Sequence, residues 1–581
     1  MTDRRRLVLL LILIAVEVAA AIVILRWVLA PDEWPRRPQA VVGGVSSAID
    51  KPQPVNTPSS TTTPQPATPT ATNTAPPPTP QPEGVWIEAE LPADLSVAIH
   101  DWLAGQSGRL VPADESAAKV TIGWQKRAGA EPLADVVLVP VVPFSSLAGG
   151  IEAGELRRIW LGRPRPEDVT AQWLVTAETS AALDALFGAH AAEAPLAIVP
   201  AGDLVDRLWS EPGAIAIVPF DRLEPRLRPL TVDGLSVLDR DLEPSEFPLR
   251  ATVWLHGPEE WQRSLSAQVA EQGLSTNRHL DRLTVLAMTG VTALTRGVAL
   301  WIEARQDWGW PARKVADLLS GADLTHVSNE TSFVPGCKAK ADTMSFCARP
   351  EYMETLRLVG ADLIELTGNH NLDFGPASAL SSLDLYAEAG MRTFGGGRDA
   401  TGARQPLLVT HNGNRLAFLG YNQFGPEYAW ATADRPGAAR FSLEAVQADL
   451  AQIASQADLV FVNIQHTESY RVVPLPAQMS DFRAVTQAGA DVVTGSQAHQ
   501  PQAIEFYEGK PIFYGLGNLF FDQTWSAATC TSLIVRHYIY DGRLLASEVL
   551  PTVMDRRLQP HVADTAERET ILQTIFEASG W

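Results

Sequence analysis

A single design repeats four times in the C-terminal half of this 581-residue chain. Each copy has an Ala-Asp turn, a nearly continuous apolar run of strand length and a group of polar residues directly after it. Such runs are typical of strands buried on both faces of a sheet. In open α/β sheets, ligand-binding groups lie beyond the carboxyl ends of the strands. The repeat therefore predicts an α/β domain with polar side chains gathered along one rim. The four copies span Ala322–Glu330, Gly360–Gly375, Ala457–Tyr470 and Gly489–Gln502.

Five polar residues follow these strands: Glu330, Asn369, His370, His466 and His499. Taken singly, each has an ordinary role. A histidine after a strand is commonly a loop hydrogen-bonder, Asn-His-Asn can cap a turn because Asn tolerates left-handed φ, and a lone Glu can cap a helix. Together they supply imidazole, carboxylate and amide oxygen at successive strand ends, which is the ligand inventory of metal sites. The clustering favours a functional site.

Three longer motifs carry a family resemblance: "GNHNLDFG" at Gly368–Gly375, "GSQAHQPQAIEFYEGKPIFYGLGNLFF" at Gly495–Phe521 and "TGVTALTRGV" at Thr289–Val298. They resemble the bacterial CapA family, proteins of poly-γ-glutamate capsule synthesis within the calcineurin-like metallophosphatase superfamily. The resemblance runs from about Leu283 to Asp522. It implies a four-layer α/β sandwich with a two-metal site at the strand ends.

The resemblance also implies roles for the five candidates. Glu330 matches the carboxylate that bridges metal, Asn369 the metal-binding amide, and His370 the catalytic histidine that contacts or protonates the scissile group. His466 matches a further histidine ligand, although Thr467 and Glu468 follow it where the family has Trp-Gly. His499 matches the second histidine of the family's Gly-x-His-Pro-His motif, as a metal ligand or as a hydrogen-bond partner of Glu330.

Two departures from the family pattern weaken the implied metal site. Val291 stands where the family has the Asp of an opening Gly-Asp, and Gln497 replaces the first histidine of Gly-x-His-Pro-His. Metal affinity follows ligand charge and number. We therefore expect at most one divalent ion (manganese, iron or zinc), held by Glu330, Asn369 and His466 with Gln497 as a weak oxygen donor, or none.

An earlier segment has a second resemblance. "DVVLVPVVPFSSL…GELRRIWLG" (Asp135–Gly162) and "GAIAIVPFDRLEPRLRPLTVDG" (Gly213–Gly234) resemble type 2 periplasmic solute-binding proteins, the phosphate-binding branch in particular. Strand-helix alternation here predicts a smaller α/β domain with mostly parallel strands. The usual early Gly/Ser/Thr-rich ligand loop of those proteins is not found, so a ligand receptor and a scaffold that keeps the fold are both open.

The N-terminus predicts a membrane anchor. Arg4–Arg6 precede an apolar run from Leu7 to Leu25, about 28 Å as a helix, which is close to the hydrocarbon thickness of a bilayer. A cleaved signal peptide is the alternative, but cleavage after Ala30 would place Pro31 at the new terminus. We expect a retained single pass in the cell membrane, with Arg4–Arg6 cytoplasmic and the later domains extracytoplasmic.

These features divide the chain into four parts. We expect a cytoplasmic tip and anchor over residues 1–30, a Pro/Thr-rich stalk over 31–83, the solute-binding-like domain over 84–255 and the CapA-like domain over 256–581. The stalk segment has too little apolar surface to fold and favours extended polyproline II.

The net charge limits the kinds of partner that the chain can bind, and the cysteines bear on the cellular compartment. With 67 acidic and 46 basic residues the net charge is −21, so no nucleic acid is expected as a partner. Cys337 and Cys347 lie in a polar insertion after Glu330, and outside the cytoplasm they predict a disulfide. Cys530 is expected to remain a free thiol.

Two functions fit these patterns. The first is a membrane-anchored CapA-like protein for synthesis or remodelling of an extracellular polymer, acting as a metal-dependent hydrolase with His370 as general acid. Its partners would be an anionic polymer or the capsule-synthesis machinery. The second is a non-catalytic binding or scaffold protein with a degenerate hydrolase fold and a solute-binding-like sensor domain. The metal content of the purified protein distinguishes the two functions, because only the hydrolase depends on a metal.

Overall fold

The computed structural model describes residues 81–106, 108–166, 168 and 171–581. The predicted anchor over residues 1–30 and almost all of the predicted stalk lie outside these residues. Across the described ranges, no helix combines the length and the apolar character needed to cross a bilayer.

The N-terminal region contains a nine-stranded mixed sheet organised around one long strand. The first half of that strand pairs antiparallel with the region's last strand through Glu131–Val137, and its second half pairs with β7 through Leu138–Val141. One strand thus joins two half-sheets. The expectation of mostly parallel strands is wrong here, because the long strand and the returning strand make antiparallel pairs in the middle of the sheet. The strands are β1 (Glu83–Ile87), β2 (Leu110–Pro112), β3 (Val120–Gly123), β4 (Glu131–Pro143), β5 (Trp173–Val175), β6 (Leu196–Ile198), β7 (Ile215–Pro219), β8 (Leu227–Pro229) and β9 (Arg250–His256).

Five helices pack on this sheet. The last of them follows the predicted domain boundary at residue 255 but packs on the N-terminal side, where Trp261 meets Trp102 edge to face and Ser264 accepts the indole N–H of Trp102. We therefore refer to residues 81–282 as the N-terminal region and residues 283–581 as the C-terminal region. The helices are α1 (Ala93–Ala104), α2 (Ala153–Trp160), α3 (Ala177–Phe187), α4 (Leu204–Ser210) and α5 (Glu259–Glu271).

The C-terminal region is built on two large sheets. The first has the order β13-β12-β11-β10-β23-β24-β25, with β22 beside β10, and the second has the order β15-β16-β18-β19-β21-β20. In the first sheet, β13 to β10 are parallel, and β23, β24 and β25 continue the sheet as antiparallel neighbours. In the second sheet, β16, β18, β19 and β21 are parallel, and an antiparallel strand lies at each edge. Strands of the first sheet are β10 (Leu283–Thr292), β11 (Leu324–Asn329), β12 (Ala361–Glu365), β13 (Arg392–Phe394), β22 (Asn518–Phe520), β23 (Thr531–Tyr540), β24 (Arg543–Met554) and β25 (Pro560–Val562). Strands of the second are β15 (Leu407–His411), β16 (Asn414–Asn422), β18 (Leu459–Gln465), β19 (Val492–Ser496), β20 (Ile504–Tyr507) and β21 (Lys510–Phe513), while β14 (Gly396–Gly397) pairs with β17 (Gly437–Ala438).

Helices cover the outer faces of these two sheets. Between the sheets lies an apolar core that includes Leu286, Leu363, Phe418 and Phe461. Separate cores lie under the helices on either side. The result is the predicted four-layer α/β sandwich, preceded by a smaller α/β region. The helices are α6 (Arg296–Arg305), α7 (Ala316–Ser320), α8 (Met353–Leu358), α9 (Pro376–Glu388), α10 (Ala400–Ala403), α11 (Leu443–Ile453), α12 (Pro476–Gln487) and α13 (Thr565–Ala578).

Candidate functional site

Four strands from the two sheets end at one rim and bring their polar side chains together there. Glu330 follows β11, Asn369 follows β12, Gln465 ends β18 and Gln497 follows β19. All four are buried, with Glu330 only 2% exposed. We call these four residues the strand-end cluster.

The side-chain amide of Gln465 occupies the centre of the cluster. Its Nε2 donates to Asn369 Oδ1 at 2.7 Å and to Gln497 Oε1, and it lies 3.5 Å from Glu330 Oε1. Gln465 did not stand out in the sequence, because a glutamine at a strand end has no chemical signature of its own. It hydrogen-bonds Asn369 and Gln497 and lies beside Glu330.

A chain of hydrogen bonds fixes which way this amide points. The indole N–H of Trp430 can only donate, and it donates to Asn422 Oδ1 at 2.7 Å. The amide nitrogen of Asn422 must then face the other way, and it donates to Gln465 Oε1 at 2.8 Å. The nitrogen of Gln465 is therefore the atom that faces the three oxygens of the cluster.

His466 makes no side-chain hydrogen bond to the strand-end cluster in the described part of the chain, and its role as a metal ligand stays a prediction. Its Nε2 lies 3.0 Å from Asp481 Oδ2, on helix α12, and its ring packs edge to face on Phe482. The physical reason is the alternation of side chains along an extended strand. Because Gln465 faces the rim, the next residue faces the helix layer.

His370 forms a dyad with Asp373 at the edge of the cluster. Its Nδ1 lies 2.8 Å from Asp373 Oδ2, and its ring stacks on Phe346 with centroids 3.9 Å apart. Asp373 also accepts the backbone N–H of Phe346 at 2.7 Å and the hydroxyl of Tyr428 at 3.2 Å. The His370 side chain is 17% exposed, so Nε2 is the ring atom left for proton exchange.

Phe346 belongs to the loop closed by the Cys337–Cys347 disulfide. The two Cα atoms are 6.1 Å apart, and Cys530 is a free thiol. The pairing expected from the sequence is thus present in the structure. Its consequence for the site is that the aromatic ring under His370 sits next to a covalent cross-link.

His499 lies near the cluster but is bonded elsewhere. Its Nδ1 lies within hydrogen-bonding distance of Asn518 Oδ1, at 3.0 Å. Its ring stacks on that of Tyr470, with the ring centroids 5.6 Å apart. Burial lowers the pKa of His499 to about 4. Both His499 and Gln497 have positive φ, 55° and 77°, a conformation that costs free energy for non-glycine residues and recurs at functional sites.

Val291 lies where the resemblance implies a metal carboxylate, and its surroundings are apolar. It packs in a small cluster with Ala293, Phe346 and Phe521. A carboxylate at this position would face aromatic rings. The apolar side chain of Val291 therefore suits its surroundings better than an Asp would.

The carboxyl of Glu330 is the one acidic group in the strand-end cluster. Burial raises its pKa to about 7, the positive charge of His370 opposes this, and the carboxylates of Glu365, Glu468 and Asp373 add to it. The close approach of Gly368, where a Cβ would lie 2.6 Å from Glu330 Cα, leaves no room for a side chain beside it.

The whole cluster lies inside a segment that matches a known family. Residues 285–523 match the model described as the bacterial capsule synthesis protein PGA_cap. We refer to the C-terminal region, which contains this match, as the PGA_cap domain.

Several curated relatives are similar to the same part of the chain. The capsule biosynthesis protein CapA of Bacillus anthracis is 29% identical over 217 residues, covering 36% of this chain and 53% of the relative. A probable polyglutamine synthesis accessory protein of Mycobacterium tuberculosis is 28% identical, covering 50% of this chain and 82% of the relative. The PGA biosynthesis protein CapA of Bacillus subtilis is 24% identical, covering 47% and 70%. The chain thus spans about half the length of the Bacillus anthracis relative that it matches.

Solved structures are more distantly similar. An ABC-type phosphate transport receptor from Vibrio cholerae has a TM-score of 0.27 at 10% identity, covering 33% of this chain and 98% of that one. The NAD nucleotidase of Haemophilus influenzae has a TM-score of 0.30 at 10% identity, covering 51% and 63%. The fold assignment rests on the sheet topology described above.

The residues of the PGA_cap domain do not fit the two-metal centre that the family resemblance implies. One carboxylate and two amide oxygens meet at the rim, and both amide oxygens already accept from Gln465. In the described part of the chain, no group of three or more His, Cys, Asp or Glu side chains is arranged to hold a metal ion. A cation at the centre would face the amide nitrogen of Gln465. The expectation of at most one ion, or none, stays a prediction.

Proposed function

We propose that this chain is an extracytoplasmic accessory protein in the synthesis or export of an anionic capsule polymer of the poly-γ-glutamate class. The observation that carries the proposal is the position of the strand-end cluster and the His370–Asp373 dyad inside the family match over residues 285–523. The name of the Bacillus anthracis relative supports a capsule polymer, and the name of the Bacillus subtilis relative, a PGA biosynthesis protein, supports the polymer class. The name of the Mycobacterium tuberculosis relative supports an accessory role in polymer synthesis.

The role proposed for the PGA_cap domain is to bind the polymer, because the cluster is built from hydrogen-bonding groups held in fixed orientation. A γ-glutamyl polymer offers amide N–H, amide carbonyl and carboxylate groups along its length. Amides held in a fixed orientation are suited to recognising such groups by hydrogen bonds. No step of this role requires a metal.

A second candidate is cleavage or transfer at an amide bond of the polymer. It is favoured by the dyad: the proton of His370 Nδ1 is held by Asp373, and the stacked Phe346 fixes the ring. In such a dyad Nε2 can take a proton from, or give one to, a reacting group. His370 would then be the catalytic residue.

Deletion and complementation in the source organism test the main proposal. Cell-associated polymer should fall when the gene is deleted and return with the unchanged chain. Complementation with Glu330→Gln tests whether the strand-end cluster is needed for this recovery of polymer. Unchanged polymer after deletion would contradict the proposal.

The His370→Ala variant separates the two roles. An accessory that only binds should keep polymer synthesis with this variant, and the length of the polymer should not change. If His370→Ala alters polymer length while the purified chain still binds polymer, cleavage or transfer is the role. A control is Asp481→Asn, which touches His466 outside the cluster.

The proposed location is also testable. We propose that residues 7–25 hold the chain in the cell membrane with the later regions outside, as the charge asymmetry around that run indicates. Protease added to intact spheroplasts should cut the stalk and release a soluble fragment. Protection of the stalk until the membrane is opened would contradict this topology.

A further inference from the structure

A cleft of about 300 Å³ lies between the N-terminal and C-terminal regions, away from the strand-end cluster. Its volume is at the lower end of the range for small-molecule sites. Its N-terminal wall is the loop after β4, together with β8 and the turn that follows. Its C-terminal wall is part of β24 and one face of helix α13. We call it the inter-region cleft.

Two arginines face this cleft from opposite walls. Arg228, on β8, donates Nε to the carbonyl of Ser146 at 2.9 Å and Nη2 to the carbonyl of Ala148. Carbonyls orient a guanidinium but do not neutralise it, and Arg228 makes no ion pair within the described residues. Arg568, on α13, has neither a side-chain hydrogen bond nor an ion pair with any described residue. The cleft therefore gathers two positive charges without a paired anion.

The electrostatics agree with this geometry. Burial lowers the pKa of Arg228 to about 10, and the positive charge of Arg568 acts in the same direction. The two guanidinium groups are thus within electrostatic reach of each other. Glu548 partly offsets them, but its carboxylate accepts the hydroxyl of Tyr538 at 3.0 Å and does not pair with either arginine.

The remaining lining suits a ligand with an anionic end and an apolar body. Gly149 faces open space, since a Cβ built there would meet no atom within 4 Å. The hydroxyls of Ser146 and Thr231 add polar groups beside the arginines, while Phe144 and Phe576 supply apolar surface.

We propose that the inter-region cleft binds a small oxyanion, a carboxylate or a phosphate group, between the guanidinium groups of Arg228 and Arg568. Guanidinium recognises both groups through paired charge-assisted hydrogen bonds. Because the two arginines come from different regions of the chain, the ligand would bridge them. The inference does not depend on the proposed function of the PGA_cap domain.

Calorimetric titration of the whole purified chain with inorganic phosphate and, separately, with glutarate tests this site. Saturable binding of either anion is expected. Preference for phosphate would identify a phosphate site, and preference for glutarate would identify a carboxylate site with an aliphatic contact. Binding of neither anion would overturn the proposal.

Three variants locate the binding. Arg568→Gln should weaken it by about tenfold or more, since one charge-assisted contact is lost. Glu548→Gln should tighten it, because a repelling carboxylate is removed; a merely structural arginine pair would not give this result. Arg263→Gln, at an exposed helix position, is the control and should not change the affinity. Equal affinity in Arg568→Gln and the unchanged chain would overturn the proposal.

Discussion

At the scale of single residues, one glutamine decides what the rim of the PGA_cap domain can bind. Gln465 Nε2 faces the oxygens of Asn369 and Gln497, and its orientation is set by Asn422. A donor in the centre of an oxygen cluster takes the place that a cation would need. The chemistry of the cluster therefore follows from an amide whose importance is visible only in three dimensions.

The corresponding prediction is that metal binding can be restored by substitution. The unchanged chain should hold at most one tightly bound divalent ion, measured by elemental analysis after loading with manganese or zinc. The triple variant Val291→Asp, Gln465→His, Gln497→His should hold more, because it adds one carboxylate and two imidazoles at the rim. Two tight ions in the unchanged chain would contradict the interpretation of these positions.

His466 provides the matched control at the same scale. Its ring faces Asp481 and is 1% exposed, so His466→Ala should leave metal content unchanged. The same variant should lower the free energy of unfolding by about 1–3 kcal/mol, because it opens a cavity and leaves Asp481 without its partner. Loss of metal from the triple variant upon adding His466→Ala would show that His466 is a ligand after all.

At the scale of elements, the disulfide loop after β11 supports the dyad. The disulfide joins Cys337 and Cys347, which are ten residues apart in the sequence. The ring of the neighbouring Phe346 stacks on the ring of His370. Restricting the unfolded chain by such a loop contributes about 2–3 kcal/mol. The double variant Cys337→Ser, Cys347→Ser should lose about this much in chemical denaturation. Cys530→Ser should change little, and an equal loss in both variants would refute the assignment.

Strand β23 places a histidine between the two sheets, which predicts a pH dependence of stability. Burial lowers the pKa of His537 to about 3, and the charge of His326 acts in the same direction. The unfolded chain, with a histidine pKa of about 6.5, takes up a proton that the folded chain excludes. Stability should therefore fall as the pH drops below about 6.5, by up to ~1.4 kcal/mol per pH unit. Denaturation midpoints for His537→Gln should show a flatter slope, and an unchanged slope would contradict this account.

Much of the element pattern was predictable from the sequence, because long apolar runs such as Leu283–Val291 have few alternatives to a buried strand. The register of side chains at the ends of the strands was not. Whether Gln465 or His466 faces the rim depends on the alternation phase of β18, and a shift of one residue exchanges the two. The pairing of β9 with β4 could not be predicted either, because the two strands are far apart in the sequence and local patterns do not determine which strands pair.

At the scale of the whole molecule, the two regions are held together by an aromatic junction. Trp581, the last residue, lies 5.5 Å from Trp209 and 5.8 Å from Phe144 between ring centroids, and it stacks on Phe506 at 5.5 Å. Two of these rings belong to the N-terminal region and two to the C-terminal region. The buried core of the N-terminal region also extends into β10, β23 and β24. Such shared apolar surface couples the folding of neighbouring regions.

We therefore predict that residues 81–581 unfold in a single cooperative transition in scanning calorimetry. Trp581→Ala should cost about 2 kcal/mol, less than a fully buried tryptophan because this ring is half-buried, and it should separate the transition into two. The matched control is Trp525→Ala, since that ring is 60% exposed and lies outside the junction. Two transitions in the unchanged chain, or an equal effect of both variants, would show that the junction does not couple the regions. If the coupling holds, a ligand in the inter-region cleft should raise the temperature of the shared transition, because it binds both regions only when each is folded.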